Sequence, residues 1–274
     1  TSTAAIKGDL TPAYLYFDAF DYVKTPGLAS TGSVTIKMKN EQITEVQNLK
    51  IQGDDLKISE GRFIFERRGN DDYLKRGNIK SLKLHETDIA LDFERPYETA
   101  LKVSAHGDFL DARPFLGQND NASANAKDSN SDTPSSPQAV QAFVDVKRMR
   151  THPARMVEKA KAFIELDPQG SLSKLELDAL AGKGDIYLRL HPNEAGTQIL
   201  ELEASDAGAT LKAFGIYENI EGGVLVLQGQ ARDPGNPKII QGKLNLENFK
   251  AVRTPVLARL LNAISPEGLL SLGA

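Results

Sequence analysis

Apolar and polar residues alternate with a period of two along most of this chain. That pattern limits the fold to extended strands with one oily and one wet face. Val34, Ile36 and Met38 interleave with Thr35, Lys37 and Lys39. Ile89, Leu91 and Phe93 interleave with Asp88, Ala90, Asp92 and Glu94. The same rhythm returns at Leu101, Val103 and Ala105, at Leu175 and Leu177, at Ile186, Leu188 and Leu190, and at Leu200 and Leu202. Turn chemistry separates the runs at Gly53-Asp54-Asp55, Arg68-Gly69-Asn70-Asp71, Pro168-Gln169-Gly170, Gly182-Lys183-Gly184 and Pro234-Gly235-Asn236. Connections this short join antiparallel neighbours, because a parallel crossover needs about a dozen residues or more. The expected fold is mainly β, an antiparallel meander of about fifteen strands.

Two stretches depart from the rhythm. Residues 153–166 are rich in Ala, Glu and Lys, which favours helix by propensity. Yet Ala160, Ala162, Ile164 and Leu166 alternate, and Pro168 and Gly170 then form a turn, so the residues alone leave helix and strand open, and only a longer-range resemblance tips the segment to strand. Residues 117–138 collapse to Asn, Ser, Asp, Ala and Pro, with almost nothing to bury, and are expected to be disordered. They divide the chain into a β-rich part at 1–116 and another at 139–274, either as a linker between domains or as an insertion in one sheet.

Helix signals gather near the end. Asp206 is placed to cap a short helix from Gly208 to Phe214. Thr254 is an N-cap candidate with Pro255 at the first helical position. Val256, Leu257, Leu260, Leu261 and Ile264 then share one helical face. Ser265-Pro266 repeats the start signal before Leu269, Leu270 and Leu272.

Motifs for chemistry are sparse. Cysteine is absent, which removes disulfides, thiolate catalysis and thiolate zinc sites. The four histidines, His85, His106, His152 and His191, share no metal-ligand spacing. No nucleophile elbow, phosphate-binding glycine loop or dinucleotide fingerprint occurs. Glu201 with Glu203, and Asp88 with Asp92, read as the solvated side of strands. The densest basic stretch, Lys147 to Arg155, reads as a charged strand and turn. The net charge of −4 offers no global attraction for nucleic acid. No catalytic residue, cofactor or metal is expected.

A longer-range order carries more information. The strand-like run Thr197 to Ser205 ends in Asp206-Ala207-Gly208-Ala209. A pair of strands around a Gly222-Gly223 turn follows, then Gly242 to Phe249, then the Pro255, Leu257, Arg259, Leu260, Leu261 helix. In that order and rough spacing, residues 141–272 resemble the C-terminal region of AsmA-like envelope proteins of Gram-negative bacteria, especially their YhdP-like branch. Residues 107–116 resemble a segment that recurs in the same family.

The resemblance implies that Asp206, Gly208, Gly222, Gly223, Gly242, Phe249, Pro255 and Arg259 are structural. It also implies a periplasmic protein, anchored to the inner membrane, that conducts phospholipid or another lipid between the inner and outer membranes. A non-enzymatic scaffold for outer-membrane protein assembly is the alternative the same family implies. The start, Thr1 to Ala5, is neither basic nor apolar enough for a signal peptide, and the chain reads as a piece of a longer protein whose N-terminal membrane helix lies elsewhere. Its remaining parts, the inner membrane and lipid are therefore the expected partners.

On the residues alone, the oily strand faces could bury one another in a compact sandwich. The resemblance implies instead a long sheet curled into an apolar groove. Its lining would be Val34, Ile36, Met38, Ile89, Leu91, Phe93, Leu101, Val103, Ile186, Leu188, Leu190, Leu200 and Leu202, with the Val256 to Ile264 helix covering one end.

Overall fold

Strands form where the alternation predicts them, and the turns between them are short enough that most neighbours in sequence become neighbours in space. The computed structural model describes residues 1–68, 71–96, 99–116, 139–233 and 236–252. The first part contains β1 (Ser2–Asp9), β2 (Leu15–Phe17), a 3-10 turn (Asp18–Phe20), β3 (Tyr22–Lys24), β4 (Ser30–Lys39) and β5 (Gln42–Gly53). It continues with β6 (Leu56–Arg68), β7 (Asp71–Leu84), β8 (Thr87–Glu94), β9 (Leu101–Asp111) and a single helical turn, α1 (Arg113–Leu116). Then come β10 (Val140–His152), β11 (Arg155–Leu166), β12 (Leu172–Ala181), β13 (Gly184–Pro192) and β14 (Gln198–Ala204). A short helix, α2 (Ala207–Ala213), and the long strands β15 (Ile220–Asp233) and β16 (Asn236–Ala251) complete the described chain. The ambiguous segment at 153–166 is strand from Arg155 to Leu166.

Fourteen of these strands belong to one sheet. β1 pairs with β4, and from β4 onward each strand pairs with its successor. β2 and β3 form a separate small hairpin between β1 and β4. The pairings are antiparallel from β1 to β9 and from β11 to β16. One step departs from the expected meander. The Leu101 N–H donates to Ala139 O, and the Ala112 N–H to Arg150 O, both at 2.9 Å. The same sequence offset at both ends means that β9 and β10 run parallel. Such a neighbour requires a long crossover, and the polar stretch at 117–138 supplies the length. That stretch itself, expected to be disordered, lies outside the described residues.

A second correction concerns Gly222 and Gly223. They do not form a turn between two strands; both lie inside β15, with φ of +63° and +86°. A side chain at Gly223 would collide with the Phe249 Cβ and the Glu247 carbonyl across the ladder.

The chain forms two compact units. The first comprises Thr1–Leu110 and Ala139–Val146, and the second the remaining described residues from Asp111 onward. Each has its own apolar core on one face of its strands.

Candidate functional site

In the first unit, cross-strand partners line up into rows of apolar side chains. One row runs Ile51, Ile58, Leu82, Ile89. Another runs Ile36, Val46, Phe63, Gly77, Phe93, Val103. The first row is core: Ile58 is 3% exposed and Ile89 2%. Every side chain of the second row is only half-buried. Between them the strands carry irregularities, with Asn48 and Glu60 at φ of +53° and +50° and a register shift between Ile79 and Leu82. Such bulges bend and twist a strand locally. Gly77 has a specific use in the outer row. A Cβ there would lie 2.4 Å from Phe63 Cδ1, so the bare backbone lets the Phe63 ring lean across to within 6.0 Å of the Phe93 ring.

Residues 10–29 account for the covered end. Leu10 packs over Gly32, where any side chain would clash with it. Tyr22 is 3% exposed, and its ring sits 5.2 Å from His85 at the β7–β8 turn. Burial, and secondarily the Asp55 carboxylate, push the Tyr22 hydroxyl pKa upward.

The second unit repeats the plan with different parts. Ala179, Ile186, Ala204 and Leu225 form a covered row, in which Ile186 is wholly buried. Ile164, Leu175, Leu190 and Leu200 form a row near the other strand ends, where the first three are half-buried. Between the two lies Ala162, Leu177, Leu188, Leu202, Leu227 and Leu244.

Here the cover is α2, which packs against β11, β12, β13, β15 and β16. It starts at Asp206, whose carboxylate accepts from the Ala209 N–H at 2.9 Å, a normal N-cap. Gly208 lets the helix lie directly on β15, since a Cβ would come within 2.5 Å of Ile220 O. Buried Thr151 donates its hydroxyl to Ala213 O at 2.5 Å and holds the far end.

The opposite face is polar. Across β4 to β6, Glu45 accepts from Gln47, Arg62 and Lys37. Lost hydration alone would raise the Glu45 pKa, but these three donors outweigh it and hold the carboxyl at about 2. A concavity of about 390 Å³ is lined by Arg62, Arg76, Lys102, Asp92 and Glu94 together with Ile64, Phe93 and Phe143.

The expected lining residues do fall on one face within each unit. Val34 faces Ile6, Met38 faces Ile43, and Leu101 follows Val103 in the half-buried region. Ile89, Leu91, Ile186, Leu200 and Leu202 need correcting, because each is buried as core and presents no free surface to a ligand. The accessible part is narrower and includes Val46, Phe63 and Leu175. Pro255, Val256, Leu257, Arg259, Leu260, Leu261 and Ile264 lie outside the described residues.

His191 sits 3.9 Å from Glu201, and the other histidines are spread over different strands and turns. Among the described residues no group of three or more His, Asp or Glu is placed to hold a metal, and no helix is long and apolar enough to cross a membrane. Sequence reasoning missed the cover at residues 10–29, although Pro12 and Pro26-Gly27 bracket an aromatic-rich stretch there. No family model matches this sequence, no curated protein matches it, and no solved structure matches the fold.

Proposed function

We propose that the half-buried rows on each unit hold lipid acyl chains, and that the protein is a segment of a periplasmic lipid conduit between inner and outer membranes. The observation that carries this reading is a gradient of burial. One end of each apolar face is sealed by the chain's own residues, while the other remains uncovered across several adjacent strands with no charged side chain in its rows. An apolar strip of that length costs free energy in water and is unusual unless something covers it.

Acyl chains are a good match because each methylene kept from water is worth about 0.8 kcal/mol, hence about 13 kcal/mol for a chain of about sixteen carbons. Side chains across strands recur about every 4.8 Å, so a tail lying across the strands meets apolar atoms at every step. The polar headgroup stays hydrated at the open strand ends. The work is passive and needs neither catalyst nor cofactor. The resemblance of residues 141–272 to AsmA-like envelope proteins supports both the lipid and the periplasmic location.

Native mass spectrometry of the purified chain, followed by solvent extraction, tests the reading. Co-purifying phospholipid is the expected result, together with displacement by a fluorescent fatty acid. Absence of lipid and of fatty-acid binding, with a stable protein partner instead, would replace the conduit with an assembly scaffold.

A further inference from the structure

The cover on the first unit is held by an unusual group. Lys24 is 2% exposed, yet no carboxylate lies within ion-pairing distance of it among the described residues. Its three N–H groups are shared instead among four main-chain carbonyls: Leu10 at 2.8 Å, Ala13 at 3.0 Å, Thr11 at 3.3 Å and Thr25 at 3.4 Å. These carbonyls belong to the two ends of the segment that carries Lys24, so the side chain ties the segment to itself.

The chemistry is that of a latch. A buried leucine gains only in the closed state. A lysine loses strong hydration on closing and regains it on opening, which offsets much of the gain from its hydrogen bonds.

The surroundings suit movement. β2 and β3 pair with each other and not with the fourteen-stranded sheet, so the segment can lift without breaking the ladder. Both of its ends have turn geometry. The Thr11 N–H is held by Asp9 Oδ1 at 2.8 Å ahead of Pro12. Gly27, after Pro26, has φ of +98° and open space where a Cβ would be. The Gly27 N–H donates to Thr11 O at 2.8 Å and keeps the two ends together.

We infer that residues 10–29 form a lid over the first unit's apolar face, latched by Lys24, and that lifting it uncovers the Ile58, Leu82 and Ile89 row to an acyl chain. The lid rests on observations of its own; its ligand rests on the acyl-chain reading above.

Hydrogen exchange of the full chain tests it. In the free protein, amides of Ala13 and Gly27 should exchange about 100-fold or more faster than those of Ile58 and Leu82, by local opening. Lys24→Met should speed exchange in residues 10–29 further and leave β6 to β8 within about threefold of wild type. Equal rates in the two regions, or an equal acceleration of both by Lys24→Met, would overturn the lid. Saturating fluorescent fatty acid should accelerate exchange at 10–29, because it captures the lifted state. Binding of that probe without any change at 10–29 would overturn the lid's link to the ligand. If the probe does not bind at all, the acyl-chain reading fails, and exchange in the free protein alone decides for or against the lid.

Discussion

The two units reach the same end state by different routes. In each, one end of the apolar strand face is sealed and the other is left half-buried. The first unit uses a twenty-residue excursion from between β1 and β4, closed by an ammonium among carbonyls. The second uses a seven-residue helix between β14 and β15, closed by an N-cap, a glycine contact and a threonine hydroxyl. Parts that differ while the result repeats show that the asymmetric face is the shared property, and the seals are interchangeable means to it.

The sharpest way to break this comparison is to place a charge at each end of one strand. Ile186→Asp buries an unpaired carboxylate under α2 and should destabilise the protein by more than about 4 kcal/mol, with loss of the folded signal by circular dichroism. Leu190→Asp, four residues along the same strand, should remain folded, because its carboxylate can reach water, and should bind the fatty-acid probe at least about tenfold more weakly, a loss of about 1.4 kcal/mol. An unfolded Leu190→Asp protein, or a folded one with full binding, would remove the distinction between sealed and open ends.

A second comparison concerns how tightly the helical seal fits. Gly208→Ala should cost about 1–3 kcal/mol in urea denaturation, because the new methyl meets the β15 backbone. If instead the helix shifts freely, the loss will be close to zero and the seal is loose. A smaller effect is expected from Asp206→Ala, about 1 kcal/mol from the lost N-cap, with Asp206→Asn recovering most of it.

The smallest effect separates the units by pH. Glu45, on the polar face of the first unit, has a folded-state pKa of about 2 against an ordinary 4.5. A carboxylate depressed in this way stabilises the fold fully above its ordinary pKa, and the contribution fades as pH falls from about 4.5 through about 2. Comparing urea midpoints at pH 6 and pH 3 should show a loss in the wild type that Glu45→Gln reduces. An identical loss in both would place the acid sensitivity elsewhere.

The alternation at Val34 to Met38, Ile89 to Phe93 and Ile186 to Leu190 was sufficient to find the strands and the face each would bury, because period two follows directly from the pleat. Asp206 was legible as a cap for the same local reason. Three other features depend on information that is not local. Ile186 and Leu190 are equivalent in the pattern, yet on a strand that α2 packs against the first is wholly buried and the second half-buried. The parallel β9–β10 step is set by a crossover with no apolar pattern to read. The Lys24 latch is a lone charge in an aromatic stretch, and its acceptors are carbonyls that no side-chain motif reveals. Gly222 and Gly223 looked like a turn, since paired glycines with positive φ serve hairpins and strand irregularities alike.

Pairing each strand from β4 onward with its successor also has a bearing on how such proteins change over generations. A hairpin inserted between two existing strands disturbs only the pair it separates, as in repeat proteins where stability is a sum over nearest neighbours. Each insertion lengthens the ladder by about 9.6 Å. Neither the residue 10–29 segment nor α2 has to be altered for this to happen. Span can therefore drift one hairpin at a time, by duplication or deletion, with the chemistry of the ends held constant.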